Sequence, residues 1–203
     1  MMKPHISVCI PVYQGALTLA ATLRSVLASD RAEFEVVIRD NGSTDGTSDV
    51  ISGFDDPRIR LIRSEETLPL PANWSATVEQ ARGELIKVVC ADDLIHPDCL
   101  ATQAALLEDP SLVLVACRRD FIDGNGRLLT RNAGLPRLLG RRGVSEVARA
   151  AVRFGINPVG EPACVMFRRR DYDAIGGFDG SNVFAMDIDA WLRILTRGDM
   201  FGQ

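Results

Sequence analysis

The chain has 203 residues, 46% of them hydrophobic and 25% charged, and carries a formal net charge of -4. That length and apolar content can bury a full core as one domain, or as one domain with a small lobe, and exclude a disordered or fibrous chain. The acidic balance argues against a general nucleic-acid binder, which normally carries a strong positive balance.

Positive charge is unevenly placed: lysine occurs only at Lys3 and Lys87, and arginine thickens from Arg118 to Arg170. Cys9, Cys90, Cys99, Cys117 and Cys164 show no Cys-x-x-Cys spacing and lie mostly in apolar runs. They read as reduced core thiols in a cytoplasmic setting. The start, Met1-Met2-Lys3-Pro4-His5, leads at once into a strand-like run, and no apolar stretch reaches the ~18 residues that span a bilayer. Any membrane association is expected to be peripheral.

Ile6 to Tyr13 is a β-rich run ended by Gln14-Gly15, and Leu17, Leu19, Leu23, Val26 and Leu27 then recur at helical spacing. Glu35 to Asp40 reads as a buried strand, Thr44 to Gly53 as a polar loop with a short helix, and Arg58 to Arg63 as an alternating strand. A parallel sheet with crossover helices is the economical reading. Leu70 to Arg82 follows as a helix entered through Pro71, Leu85 to Val89 as a strand, and His96-Pro97-Asp98 opens a helix through about Glu108.

Leu112 to Cys117 is a further strand, and Ile122 to Leu128 has the Gly and Asn content of a tight hairpin, where the sheet is expected to turn antiparallel. Thr130 to Gly143 has no clear period and reads as a loop. Val144 to Phe154 is helical, Ala163 to Arg168 strand-like, and Asp171 to Ile175 a helical turn. A last helix, about Asp187 to Arg197, carries Trp191, Ile194 and Leu195 on one face. Gly198 to Gln203 begins as another strand would.

Two acidic clusters sit where strands end: Asp40-Asn41-Gly42-Ser43-Thr44-Asp45 and Asp92-Asp93. Carboxylates there are costly unless they bind something. In an open α/β sheet, ligands lie outside the carboxyl ends of the strands, so both clusters would flank one crevice for a nucleotide and a divalent metal. The plainer reading of Asp92 and Asp93 is helix capping, and that of Asn41-Gly42 and Asp45-Gly46 is turn chemistry. Asp187 and Asp189 open the last helix, where they either complement its dipole or supply a general base.

In this order and spacing the motifs resemble a family 2 glycosyltransferase of the GT-A fold. Ser7 to Tyr13 is similar to the family's opening strand, Ser25-Val26-Leu27 to its first helix, Asp40 to Thr47 to its nucleotide-binding loop, and Gly83-Glu84 through Asp93, with His96-Pro97-Asp98, to its metal-binding region. Phe167-Arg168-Arg169, Gly176 to Asp179 and Asp187 to Arg193 look like its acceptor side and catalytic helix. The resemblance implies a Rossmann-like, mostly parallel sheet flanked by helices with an antiparallel element in the second half. It implies one domain over 1–203, with a donor half (1–117) and an acceptor half (118–203).

The implied reaction is an inverting sugar transfer in which an acceptor hydroxyl attacks the anomeric carbon of a UDP, GDP or dTDP sugar and the diphosphate leaves. Asp93 would hold Mn2+ or Mg2+, Asp92 would face the ribose or the metal's outer shell, and Asp187 would be the base. Pro11, Tyr13 and Asp40 would contact the nucleoside, with Asn41 where the family often carries a second acid. Met186 stands where the family often has Glu, and Cys90 where it often has an acid.

The implied acceptor is a saccharide or lipid-linked saccharide in cell-surface polysaccharide or glycolipid synthesis, at the inner face of the membrane. Arg131, Arg137, Arg141 and Arg142 either form a solvated surface or clamp an acceptor phosphate. Family members usually continue past the catalytic helix, so a chain shorter than its relatives is expected. The alternatives are a nucleotide-sugar-binding module without turnover and a nucleotidyltransferase. The latter should carry a basic Gly-rich loop where this chain has Gln14-Gly15-Ala16-Leu17.

Overall fold

The structure, a computed structural model, describes residues 4–30 and 32–203; Lys3 and the two methionines before it lie outside them. The first half alternates strand and helix: β1 (Ile6–Val12), α1 (Leu19–Leu27), β2 (Phe34–Asp40), α2 (Thr47–Ser52), β3 (Ile59–Arg63), α3 (Leu70–Glu79), β4 (Leu85–Val88) and α4 (Cys99–Leu106). The second half is more mixed: β5 (Leu112–Ala116), β6 (Arg119–Ile122), β7 (Leu128–Ala133), β8 (Gly140–Arg142), α5 (Val144–Phe154), β9 (Val165–Arg168), α6 (Arg169–Ala174), α7 (Met186–Leu195) and β10 (Asp199–Gly202). Among the described residues no helix is long and apolar enough to cross a membrane.

Eight strands form one sheet in the order β3-β2-β1-β4-β9-β5-β10-β8. The strands β1 to β5 and β10 run one way, whereas β9 is antiparallel to both β4 and β5, and β8 is antiparallel to β10. The expected antiparallel element is therefore β9 and β8. The hairpin over Ile122 to Leu128 does form, but β6 and β7 pair as a separate two-stranded sheet and leave the main one unturned there.

The segment 130–143, read from the sequence as a loop, contains the end of β7 and all of β8. Most of β7 faces solvent, so no apolar alternation marks it as a strand. Pairing across the hairpin alone defines it.

Strands β1, β2, β4 and β5 are buried at every residue, as the two covered faces of a parallel sheet require, and β2 and β4 bury Glu35, Arg39, Asp40 and Lys87 along with their apolar residues. On one face, Ile6, Val8, Ile10, Val36 and Ile38 pack with Leu19, Leu23 and Val26 of α1 and Leu100 of α4. On the other, Cys9, Val37, Ile86, Val88 and Leu114 pack with Val78 of α3, Tyr172 of α6, and Trp191 and Ile194 of α7.

An aromatic cluster pins the helices to this second face. Phe167 of β9 lies 5.6 Å from the Trp191 ring and 5.3 Å from Tyr172, and Phe178 lies 5.5 Å edge-on to Trp74 of α3. Trp191 is fully buried and its Nε1-H donates to the Gly160 carbonyl at 3.1 Å. Trp191→Ala should therefore remove a large packed volume and leave that carbonyl short of a donor. We expect a loss of about 3–5 kcal/mol, read by chemical denaturation; a loss below about 1 kcal/mol would show that α7 is held elsewhere.

Candidate active site

The carboxyl ends of β1, β2 and β4 lie at one edge of the sheet, and β9, running the other way, begins there. A cleft of about 330 Å3 opens at this edge, lined by Leu70 and Trp74 of α3, Cys90, Asp92 and Asp93 after β4, Glu161 and Pro162 before β9, and Met186 and Asp187 of α7 with Val183 and Phe184 before it. Helix α1 fixes the turn after β4: Thr22 Oγ1 donates to the Ala91 carbonyl at 2.9 Å, and Ser25 Oγ accepts from Ile95 N-H at 3.2 Å. Asp93 N-H closes the turn on the Cys90 carbonyl at 3.0 Å. Asp92 and Asp93 are thus aimed by tertiary contacts, and no side-chain cap bond ties either to α4.

Oxygens of Asp92 and Asp93 and the Cys90 sulfur lie within 4.8 Å of one another. Burial, and then the charges of Asp92 and Glu161, push the Asp93 carboxyl up to about 6. Burial, and then the charges of Asp93, Asp92 and Asp187, raise the Cys90 thiol, so it stays protonated and is a poor donor to a hard cation. Two crowded carboxylates lacking a counter-charge fit Mg2+ or Mn2+, which takes one or two protein carboxylates and fills its remaining positions with phosphate and water.

Asp187 faces the same cleft from the first turn of α7. Its Oδ2 accepts from Asn157 Nδ2 at 2.8 Å and its Oδ1 from Ile188 N-H at 2.7 Å. Asn157 is itself locked: its Oδ1 accepts from Val159 and Gly160 N-H, and its Nδ2 also donates to the Gly160 carbonyl at 2.8 Å. Gly160 sits at φ +121°, and a Cβ there would lie 3.1 Å from that of Cys164, so this turn requires glycine. Asp189, the other candidate on α7, is bound by Arg193 at 2.6 Å, which also holds the Ile175 and Gly177 carbonyls. That separates a structural acid from one left facing the cleft.

The residues read as nucleoside contacts lie at the neighbouring strand ends and do not line this cleft. Pro11 of β1 is buried beside Arg39 of β2, its register partner, and Tyr13 is 53% exposed with its ring open to a ligand. Asp40 is fully buried; Oδ1 accepts from Ser43 N-H at 2.9 Å and Oδ2 from Ser48 Oγ at 3.0 Å. Asn41 bonds both the N-H and the carbonyl of Leu68 at 2.9 Å. Asp45 accepts from Ala16 and Thr47, holding the loop after β1 to the loop after β2.

The arginines considered as a phosphate clamp divide. Arg141 pairs with Asp109, and with Asp199 at 3.6 Å, and Arg142 pairs with Glu146 at 3.6 Å, whereas Arg131 and Arg137 are exposed. Sequence reasoning missed Asn157 and Glu161. Glu161 is held by Arg119 at 2.6 Å. The one local signal is that each directly precedes a proline, Asn157 before Pro158 and Glu161 before Pro162, in a stretch with no period.

Because Asp93 in the fold is held near 6, above its ordinary 3.8, the folded state prefers it protonated. Its contribution is therefore a destabilisation that grows as pH rises from about 4 to 6 and is complete above that. In metal-free protein at pH 8, Asp93→Asn should stabilise by about 1–2 kcal/mol, allowing for its partial contact with solvent. The gain should vanish at pH 4. Thermal melts at both pH values check this; equal melts at pH 8 would place Asp93 in ordinary solvent.

The O-antigen biosynthesis protein RfbC of Myxococcus xanthus is 26% identical over 216 residues, covering 96% of this chain and 16% of that protein. An uncharacterized protein, MT1568, of Mycobacterium tuberculosis (strain CDC 1551 / Oshkosh) is 35% identical over 201 residues, covering 96% of this chain and 63% of its own. The mannosyltransferase PcManGT from Pyrobaculum calidifontis, solved in complex with GDP-Man and Mn2+, shares the fold with a TM-score of 0.73 at 21% identity, over 100% of this chain and 55% of that one. The chain spans less than two thirds of each of these proteins, and its own fold is the GT-A fold that the sequence led us to expect. The sequence matches the family described as Glycosyl transferase family 2 over residues 7–176, most of its length, and the chain belongs to that family.

Proposed function

We propose that this chain is one GT-A domain that transfers a sugar, with inversion, from a nucleoside-diphosphate sugar to an acceptor hydroxyl. The observation that carries the reading is one cleft with the Asp92-Asp93 pair on the β4 side and Asp187 on the α7 side. The arrangement separates the two tasks such a transfer sets: neutralising a leaving diphosphate and taking a proton from the attacking group. Residues 1–117 bring the donor side and 118–203 the base.

In this reading Asp93 holds Mn2+ or Mg2+, with Asp92 at its outer shell or on the ribose, and the ion supplies charge neutralisation for the departing diphosphate. Asp187 accepts the acceptor's hydroxyl proton as the new C-O bond forms at the anomeric carbon, opposite the breaking bond to the diphosphate. Asn157 holds that carboxylate in one rotamer, and its hydrogen bond to Oδ2 leaves further lone pairs for the incoming proton. Leu70, Trp74, Val183 and Phe184 present apolar surface along the cleft, with Phe184 itself open to solvent.

Pro11, Tyr13, Asp40 and Asn41 form the nucleoside side, with the Tyr13 ring available to stack on a base. RfbC, named for O-antigen biosynthesis, supports a cell-surface polysaccharide or glycolipid as the product. The donor complex of PcManGT supports the donor class and the metal. The apolar cysteines support a cytoplasmic site of action, with any membrane contact peripheral.

The test is binding and turnover measured separately. Nucleoside diphosphates should raise the melting temperature only with Mn2+ or Mg2+ present, since a ligand specific to the native state stabilises it. Asp93→Ala should abolish that metal-dependent shift. Asp187→Ala should keep the shift and lower kcat by on the order of 10²–10⁴. The reverse pattern, with Asp187→Ala losing binding and Asp93→Ala keeping it, would overturn both roles.

A further inference from the structure

Arg39 is the penultimate residue of β2 and is only 8% exposed. It lies on the sheet face covered by α3, beside Pro11, and its Nη1 donates to Asn41 Oδ1 at 2.9 Å and to Asn73 Oδ1 of α3 at 2.7 Å. The next residue of α3, Trp74, lines the cleft. Both partners of Arg39 are neutral. Among the described residues no carboxylate lies within ion-pair distance of it, and its Nε-Nη2 edge has no hydrogen-bond partner.

That is unusual within this chain. Arg58, Arg119 and Arg193, all only partly exposed, each pair with an acid at 2.6 to 2.7 Å. Arg168 lacks so close an acid but donates to the carbonyls of Leu107, Asp109 and Leu112. A mostly buried guanidinium with one corner held on neutral amides and the other edge unpartnered but not sealed from solvent is a two-donor reader for an acceptor brought from outside.

Position decides what it reads. In the sheet order, β1 stands between β2 and β4, so at about 4.8 Å per strand Arg39 lies roughly 10 Å across the sheet from the Asp92-Asp93 end of β4. A donor with its diphosphate beside Asp93 extends its nucleoside over β1 toward β2, so Arg39 meets the base and not the phosphates. A guanidinium has donors and no acceptor. It favours the carbonyl at C4 of uracil or thymine and at C6 of guanine, and disfavours the amino group that cytosine and adenine carry at those positions.

We infer that Arg39 is a specificity-determining residue that selects an oxo nucleotide, one whose base carries a 4-oxo (pyrimidine) or 6-oxo (purine) group, as UDP, dTDP and GDP do. The inference rests on the donor reading above. Asn41 and Asn73 act as positioning residues for it, fixing the Nη1 corner so that the Nε-Nη2 edge is presented without further ordering.

The experiment is titration of UDP, GDP, dTDP, CDP and ADP, each with Mn2+, into the parent, Arg39→Met and Arg39→Lys, with unliganded melts of all three. The parent should bind the three oxo nucleotides at least tenfold more tightly than CDP and ADP, as a hydrogen bond to a charged donor implies. Arg39→Met should lose about tenfold for the oxo nucleotides and change little for the other two, so the preference collapses. Arg39→Lys keeps the charge without the two-donor edge and should recover part of it; if Arg39→Met does not melt cooperatively, the lysine variant carries the test. An unchanged preference in a folded variant, or an equal loss for all five nucleotides, would overturn the inference and leave the donor reading standing. Failure of the parent to bind any of the five would overturn both.

Discussion

The reversal of one strand is the constraint on which this site depends. Strand β9 is inserted between β4 and β5 and runs against both. An antiparallel neighbour begins where β4 ends, so the segment entering β9 is delivered to the sheet edge at which Asp92 and Asp93 emerge. Asn157, Gly160 and Glu161 reach the cleft by this route, although they are some seventy residues away in sequence. A parallel β9 would place its entry at the opposite edge and leave the acidic turn without a facing wall.

Electrostatics then separates the acids that build the protein from those that face a ligand. Asp45 is held below the ordinary carboxylate range by bonds from Thr47 and Ala16, and Asp189 is neutralised by Arg193. Asp93 is displaced the other way, by burial and by its acidic neighbours. Satisfied carboxylates stabilise the fold; a crowded, raised one marks a place where the fold tolerates strain for a ligand that relieves it. Arg39 is a mostly buried cation whose hydrogen-bond partners in the chain are neutral amides. The acidic end of β4 is complementary to a cation, and the basic end of β2 to a group rich in acceptors.

Much of this architecture was legible because parallel strands are buried on both faces and announce themselves as unbroken apolar runs, as in Ile6–Val12 and Leu112–Ala116. The α5 limits were readable too, since Glu146 accepts from Gly143 N-H at its start and Gly155 ends it at φ 63°. Strands β7 and β8 were not, because an exposed hairpin and a three-residue edge strand carry no periodic apolar signal. Asp92, Asp93 and Asp187 stood out as acids at element ends. Asn157, Glu161 and Arg39 did not, because nothing local distinguishes a polar residue that faces a cleft from one that faces water. Their meaning comes from contacts across tens of residues that only the sheet order creates.

The core and the chemistry meet at one backbone carbonyl. Gly160 O accepts from Trp191 Nε1, deep in the aromatic cluster, and from Asn157 Nδ2, whose same nitrogen donates to Asp187. Trp191 and Asp187 are one turn apart on α7, so the helix is registered against the 157–160 turn at two points, one apolar and buried and one polar and facing the cleft. Rotation of α7 that shifted the carboxylate would have to break the indole bond and unpack Phe167 and Phe178 from Trp191. The orientation of Asp187 is therefore set by the same packing that stabilises the fold, which holds a small side chain at a helix start in one place facing the cleft.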